Sequence, residues 1–144
     1  MHPYPHVYLA SARADSTGQV PVTSPDLPGI YTGPPPQFDG PPGCWSPETL
    51  LTASLADCFI LTFRAVSRAS RFEWKQLECE VEGVLERVDG VAQFTKFTTT
   101  AKLTVAPGTD VAKAQTLLEK SEHSCLIANS MRGSRSLRST VLTA

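Results

Sequence analysis

One stretch of the chain, Leu50 to Phe63, limits the possible folds more than any other. It reads L-L-T-A-S-L-A-D-C-F-I-L-T-F and is apolar almost all round. A helix with that pattern usually lies inside a core. The preceding Ser46-Pro47-Glu48 supplies a serine cap, a proline at the first helical position and an acid in the first turn. We therefore expect a helix from Pro47 to about Ser70.

The rest of the chain predicts strands and shorter helices around that helix. Apolar residues alternate with glutamates before the turn signal Val88-Asp89-Gly90, and a threonine-rich segment follows it, which indicates an antiparallel hairpin. Residues 21–45 hold eight prolines and four glycines, so we expect a long ordered loop there. The other expected elements are a strand at 6–10, a helix opened by residues 107–110, a helix at 125–131 and a strand at 137–142. The sum is a single α+β domain over residues 1–144.

The charge distribution excludes several function classes. The net charge is −1, so nothing global indicates nucleic acid or an anionic membrane as a partner, and Arg132, Arg135 and Arg138 are interpreted as a solvated edge. The N-terminus has no secretory signal pattern, and the apolar run is short for a membrane span. We expect a cytoplasmic protein. Within residues 1–63 the only Lys or Arg is Arg13.

Four cysteines carry the candidate chemistry, and stable disulfides are rare in the cytosol. No C-x-x-C is present, and a zinc site would need cysteines from distant positions to converge. Cys79 lies on the apolar face of a strand, where packing is the expected role. The role of Cys44 stays open. Cys58 and Cys125 each lie on a predicted helix, and from composition alone packing is the commoner role for both.

Two sequence motifs favour a catalytic role over packing for Cys58 and Cys125. S-P-E-T-L-L-T-A-S-L-A-D-C-F places Glu48 ten residues before Cys58, and S-E-H-S-C-L-I-A-N-S-M-R-G follows Cys125 with Asn129 and Arg132. Together, in this order, they resemble the OsmC/Ohr family of thiol peroxidases. The resemblance implies an OsmC-like fold, with antiparallel sheets wrapped around a central apolar helix, and an intertwined homodimer. The chain departs from many members at Leu126, where they have proline.

The resemblance also implies roles for four residues. Cys58 is the peroxidatic cysteine, Cys125 resolves it, and Arg13 stabilises the thiolate while Glu48 orients Arg13. A thiolate in an apolar helix needs such a positive partner, because burial disfavours its charge. Ten residues of helix span about 15 Å. Glu48 therefore acts through an arginine between the two residues, or it comes from a second chain. No metal, flavin or haem is implied.

The predicted function is reduction of organic hydroperoxides to alcohols through a Cys58 sulfenic acid and a Cys58–Cys125 disulfide. An external dithiol, such as a lipoylated protein, would reduce that disulfide. Apolar residues around Cys58 favour organic substrates over hydrogen peroxide. Two alternatives stay open. One is a non-catalytic dimeric protein that binds an apolar ligand, and the other is a redox sensor that uses the same cysteine pair.

Overall fold

The structure is a computed structural model that describes all 144 residues. The chain divides into two compact units, Met1–Leu50 and Leu51–Ala144. The single domain expected from the sequence stays a prediction.

The first unit contains a small antiparallel sheet in the order β1-β2-β3. Its strands are β1 (Ser11–Ala12), β2 (Val20–Thr23) and β3 (Ile30–Thr32), and a short 3₁₀ helix follows at Pro36–Phe38. The loop predicted for residues 21–45 was therefore wrong for β2 and β3. Pro21 is tolerated in the central strand because β1 pairs only with Val22 and Thr23, so the ladder on that side does not reach Pro21.

The strand expected at residues 6–10 does not form. Val7 and Leu9, which would share one face of that strand, are both exposed. Alternation alone does not order a strand, because a strand also needs a surface on which to bury its apolar face.

Helix α1 (Pro47–Ala69) confirms the long apolar helix. At its start the Ser46 hydroxyl accepts a hydrogen bond from the N–H of Thr49 (3.1 Å), and the Thr49 hydroxyl accepts one from the N–H of Ser46 (2.8 Å). This is a reciprocal cap in which threonine replaces the more usual glutamate. Pro47 and Glu48 in the first turn also match the expected start signals.

Only one stripe of α1 is buried, at Leu55, Phe59, Phe63 and Ser67. The four-residue spacing places these side chains on one face of the helix. By length and hydropathy alone α1 is long and apolar enough to cross a membrane, because it extends beyond the Leu50–Phe63 run to Ala69. One such helix is weak evidence for a membrane span, since the core helix of a soluble fold meets the same criteria.

The second unit holds a larger sheet in the order β4-β5-β6. Its strands are β4 (Gln76–Val88), β5 (Val91–Val105) and β6 (Ser134–Thr143). The hairpin of β4 and β5 is antiparallel as predicted, and it closes through Asp89 and Gly90 at φ 50° and 80°. β6 pairs with β5 in parallel, which the sequence did not predict. Parallel pairing requires a crossover between the two strands.

Two helices form that crossover, α2 (Val111–Ser124) and the short α3 (Leu126–Asn129). Asp110 caps α2 by accepting a hydrogen bond from the N–H of Lys113 at 3.0 Å. Cys125 lies between the two helices with an extended backbone (φ −65°, ψ 106°). The main core includes Phe59, Phe63, Leu77, Ala101, Leu103, Val105, Ala114, Leu117 and Leu118.

Candidate functional site

Cys58 and Cys125 meet in a second, smaller apolar cluster of the second unit. Its buried members are Leu55, Phe97, Cys125 and Ala128, and Cys58 packs against them together with Val81, Phe94, Ile127 and Met131. Helix α1 contributes Cys58, and the corner between α2 and α3 contributes Cys125. The structure therefore brings together two residues that the sequence separates by 67 positions.

The Cys58 thiol is close enough to the Cys125 thiol to raise its pKa, and the two residues differ in burial. Cys125 is 1% exposed, whereas Cys58 is half-buried. Neither forms a disulfide. A second polar contact to Cys58 comes from Thr62, one helical turn later, whose hydroxyl oxygen lies 3.8 Å from the Cys58 sulfur. Because that hydroxyl can donate to a sulfur anion, it can stabilise a Cys58 thiolate.

The pair is electrostatically asymmetric. Burial is the largest cause that raises the pKa of the Cys125 thiol, from its ordinary 9.0 to about 11. The neighbouring Cys58 thiol and a negative charge on Cys58 act in the same direction, and backbone N–H groups of α3 oppose them. A negative charge on Cys58 therefore disfavours a negative charge on Cys125. These causes together favour the protonated form of Cys125.

A cavity of about 240 Å³ adjoins the cluster. Phe94 and Phe97 line it with stacked rings whose centroids are 5.3 Å apart, and both residues also belong to the cysteine cluster. The other lining residues are Leu51, Val91, Gln93, Met131 and Arg132. An apolar wall with a few polar groups is typical of small-molecule sites.

The other two predicted site residues lie in the first unit. Arg13 follows β1 directly and is exposed. Glu48 lies in the first turn of α1, and its Oε2 atom is buried. Glu48 also lines a largely apolar cavity of about 430 Å³, together with residues of β2, β3 and the following proline-rich segment. The roles predicted for Arg13 and Glu48 stay predictions.

The remaining cysteines have different surroundings. Cys79, on β4, packs against the main core, and its pKa is raised to about 12, first by burial and then by the charges of Glu122 and Cys125. A thiol so reluctant to ionise is a poor nucleophile, which agrees with the predicted packing role. The Cys44 sulfur lies 3.5 Å from the carbonyl oxygen of Trp45, to which it can donate a weak hydrogen bond. No group of three or more His, Cys, Asp or Glu side chains could hold a metal ion.

Sequence reasoning missed Arg135. It was assigned to a solvated edge, but its side chain is 24% exposed and forms an ion pair with Glu122 at 2.9 Å. The available signal was the period of two along β6, which places Arg135 on the same face as Leu137 and Val141, the two β6 residues that pack against the core. An arginine on the packed face of a strand predicts a partner.

Comparison with known proteins supports the resemblance of the two cysteine motifs. Residues 40–139, which include Cys58 and Cys125, match the family of OsmC-like proteins. The chain is also 31% identical over 107 residues to the uncharacterized protein YmaD of Bacillus subtilis strain 168. That alignment covers 72% of this chain and 71% of YmaD.

Several solved structures share the fold. An OsmC-like protein of unknown function from Vibrio cholerae has a TM-score of 0.86 at 14% identity, covering 94% of this chain and all of that one. An organic hydroperoxide resistance protein from Elizabethkingia anophelis has a TM-score of 0.77 at 20% identity, covering 99% and 100%. OhrB of Bacillus subtilis, an organic hydroperoxide resistance protein, has a TM-score of 0.69 at 20% identity, covering 94% and 98%. By sequence match and by fold, this chain belongs to the OsmC-like protein family.

Proposed function

We propose that this protein is a thiol-dependent peroxidase that reduces organic hydroperoxides to alcohols. The observation that carries the proposal is that Cys58 and Cys125 are neighbours inside one apolar cluster, close enough for Cys58 to raise the pKa of Cys125. Packing alone needs neither thiol to face the other. A two-cysteine cycle needs this contact, because the second thiol must reach the first as soon as it is oxidised.

The cycle has two internal steps. The Cys58 thiolate attacks the terminal oxygen of ROOH, the O–O bond breaks, and with one proton the products are ROH and Cys58–SOH. The Cys125 thiol then attacks the sulfur of Cys58–SOH, which releases water and forms the Cys58–Cys125 disulfide. An external dithiol reduces that disulfide by thiol exchange and becomes oxidised itself.

Arg13 and Glu48 complete the site in this proposal. Arg13 stabilises the Cys58 thiolate and the charge that develops on the peroxide oxygens, and Glu48 orients the guanidinium. The support is that Arg13 is the only Lys or Arg before Arg64, and that Glu48 starts the helix that carries Cys58.

We propose that the protein forms an intertwined homodimer. The observation that supports a second copy is the exposed apolar surface of α1, where 22% of the most apolar 18-residue stretch is buried and Leu61 is 51% exposed. An apolar surface of this kind usually marks an interface. The family resemblance adds that active sites of such dimers lie between subunits, so Arg13 of one chain can serve Cys58 of the other.

The cavity that adjoins the cysteine cluster supports an organic substrate. Its two phenylalanine rings would bury an alkyl or aryl group, which favours ROOH over hydrogen peroxide. A volume of about 240 Å³ is below the range of about 300–1,000 Å³ usual for drug-sized ligands. We therefore expect a compact substrate such as cumene hydroperoxide to react readily. We assign the protein to the cytoplasm, where free thiols and dithiol reductants occur together.

The test is peptide mapping of the reduced protein after addition of one equivalent of cumene hydroperoxide. The expected product is a Cys58–Cys125 disulfide with loss of two hydrogens, formed faster than with one equivalent of hydrogen peroxide. Cys44→Ser is the matched control, and it should form the same disulfide. If all four thiols stay free, the non-catalytic alternative gains support, in which the same cavity binds an apolar ligand without turnover.

A mixing experiment tests Arg13 separately. Arg13→Gln and Cys58→Ser chains are each expected to be inactive as homodimers. Chains unfolded and refolded together would form mixed dimers in which an intact Cys58 meets an intact Arg13 from the other chain. Recovered peroxidase activity supports a site shared between subunits. No recovery, with mixed dimers demonstrated by mass, means that Arg13 acts within its own chain, whereas an active Arg13→Gln homodimer means that Arg13 has no role in the reaction.

A further inference from the structure

The guanidinium of Arg135 holds both sides of the corner that carries Cys125. Its Nε donates to the Oε1 atom of Glu122 at 2.9 Å, and its Nη2 donates to the backbone carbonyl of Glu122 at 2.6 Å. Its Nη1 donates to the Oδ1 atom of Asn129 at 2.9 Å. Glu122 lies three residues before Cys125 and Asn129 four residues after it, so one side chain bridges α2 and α3.

Asn129 closes the corner from the other side. Its side-chain Nδ2 donates to the carbonyl of His123 at 3.2 Å, and its backbone N–H donates to the carbonyl of Cys125 at 2.9 Å. Arg135 and Asn129 therefore fix the backbone immediately before and after the thiol. These contacts reach the main chain around Cys125 rather than its sulfur. We use the name "Arg135 clamp" for Glu122, Asn129 and Arg135 with these hydrogen bonds.

The position of Cys125 matters because disulfide geometry is narrow. The sulfurs must approach to about 2.05 Å with a Cβ–Cβ distance of about 3.5–4.5 Å. Cys125 is buried at the point where the backbone changes from α2 to α3, so its direction depends on how the two helices are held. Arginine suits this task because its planar fork can donate in several fixed directions at once.

We propose that Arg135 is a positioning residue for the resolving step, keeping Cys125 in reach of the Cys58 sulfenic acid. The inference rests on the proposed peroxidase function. Two reactions compete for that sulfenic acid. In one, Cys125–SH and Cys58–SOH give the disulfide and water. In the other, a second ROOH converts Cys58–SOH to the sulfinic acid Cys58–SO₂H and releases ROH.

The experiment measures the two steps separately in wild type, Arg135→Gln, Arg135→Lys and Arg138→Gln. Arg138 is an exposed arginine three residues further along β6, so its replacement is the matched control. Rapid mixing with cumene hydroperoxide, acid quench and mass spectrometry give the rates of sulfenic acid and disulfide formation. The sulfinic fraction is then measured at increasing hydroperoxide concentration.

We expect Arg135→Gln to slow disulfide formation roughly ten- to a hundredfold, the range for a misplacement near 1 Å, and to leave the rate of sulfenic acid formation unchanged. At a given hydroperoxide concentration, the ratio of sulfinic acid to disulfide should rise in the same proportion. Arg135→Lys keeps the positive charge but replaces the planar guanidinium with a single nitrogen, so its rate of disulfide formation should lie between those of wild type and Arg135→Gln. It also provides a test of the proposal if the glutamine variant does not fold. Arg138→Gln should match wild type.

The outcomes separate the two proposals. If wild type forms neither sulfenic acid nor disulfide, the proposed function fails. If wild type forms the disulfide and both Arg135 variants form it at the wild-type rate, the proposed peroxidase function is supported, but the proposal that Arg135 positions Cys125 is wrong. Equal loss of both steps in Arg135→Lys would also overturn it, because that pattern indicates general structural damage.

Discussion

The resolving step should depend on pH through Cys125, and the structure gives the sign and size of that dependence. Attack on the Cys58 sulfenic acid requires Cys125 as a thiolate. Burial is the largest cause that raises the pKa of Cys125 to about 11. At pH 7 a thiol with that pKa is ionised in about one molecule in ten thousand, and the ionised fraction rises about tenfold with each pH unit.

We therefore expect the rate constant of disulfide formation to rise about tenfold per unit between roughly pH 7 and pH 9. Oxidation of Cys58 removes its negative charge and so removes one of the causes that raise the pKa of Cys125. Burial remains, so the pKa stays above its ordinary 9.0. A Cys125 thiol with an ordinary pKa would instead level off near pH 9.

The assay is rapid mixing with one equivalent of cumene hydroperoxide at each pH, followed by acid quench, alkylation and mass spectrometry. Cys125→Ser isolates the first step, so that its own pH dependence can be subtracted. A rate constant for disulfide formation that is flat with pH, or that levels off at or below about pH 9, would refute the reasoning that burial raises the pKa of Cys125.

Three further predictions concern residues around the site. Thr62→Val removes the hydroxyl that lies near the Cys58 sulfur. One long hydrogen bond to a charged group contributes about 1 kcal/mol, so its loss should slow sulfenic acid formation about fivefold without changing Tm. An unchanged rate would show that Thr62 does not stabilise the thiolate. Leu61→Arg places a charge on the exposed apolar face of α1. The mass measured by light scattering should change from that of a dimer to that of a monomer. If the variant is still a dimer, the interface does not include this face of α1. Gly133→Ala should lower Tm by about 3 °C or more, because the backbone φ at residue 133 is 95° and the new Cβ would lie 2.8 Å from the carbonyl oxygen of Thr95. An unchanged Tm in calorimetry would contradict the prediction that alanine is strained at this position.

The elements that the sequence predicted well are those whose signals are local. Helix α1 starts where Ser46, Pro47 and Glu48 indicate, and the hairpin turns at Asp89 and Gly90. Cap and turn residues act on the backbone beside them, so they can be recognised without tertiary information. The cysteine pair was different, because only the resemblance to a family connected two motifs that lie far apart in the chain.

The features that the sequence did not predict depend on partners distant in the chain. The strands at Val20–Thr23 and Ile30–Thr32 form among prolines because each supplies the other with a ladder. Arg135 looked like one of three surface arginines, and only the fold brings Glu122 and Asn129 to its guanidinium. Propensity is a weak prior wherever such tertiary contacts decide the outcome.

The different surroundings of the two neighbouring thiols suit separate roles in the proposed cycle. Cys58 is half-buried and contacts the Thr62 hydroxyl, a donor that can stabilise a thiolate. Cys125 is buried, and a negative charge on Cys58 raises its pKa. These surroundings fit the proposed order, in which Cys58 reacts with the hydroperoxide and Cys125 reacts second. Burial also restricts the movement of the Cys125 side chain, so the proposed resolving step depends on a corner that holds Cys125 in place.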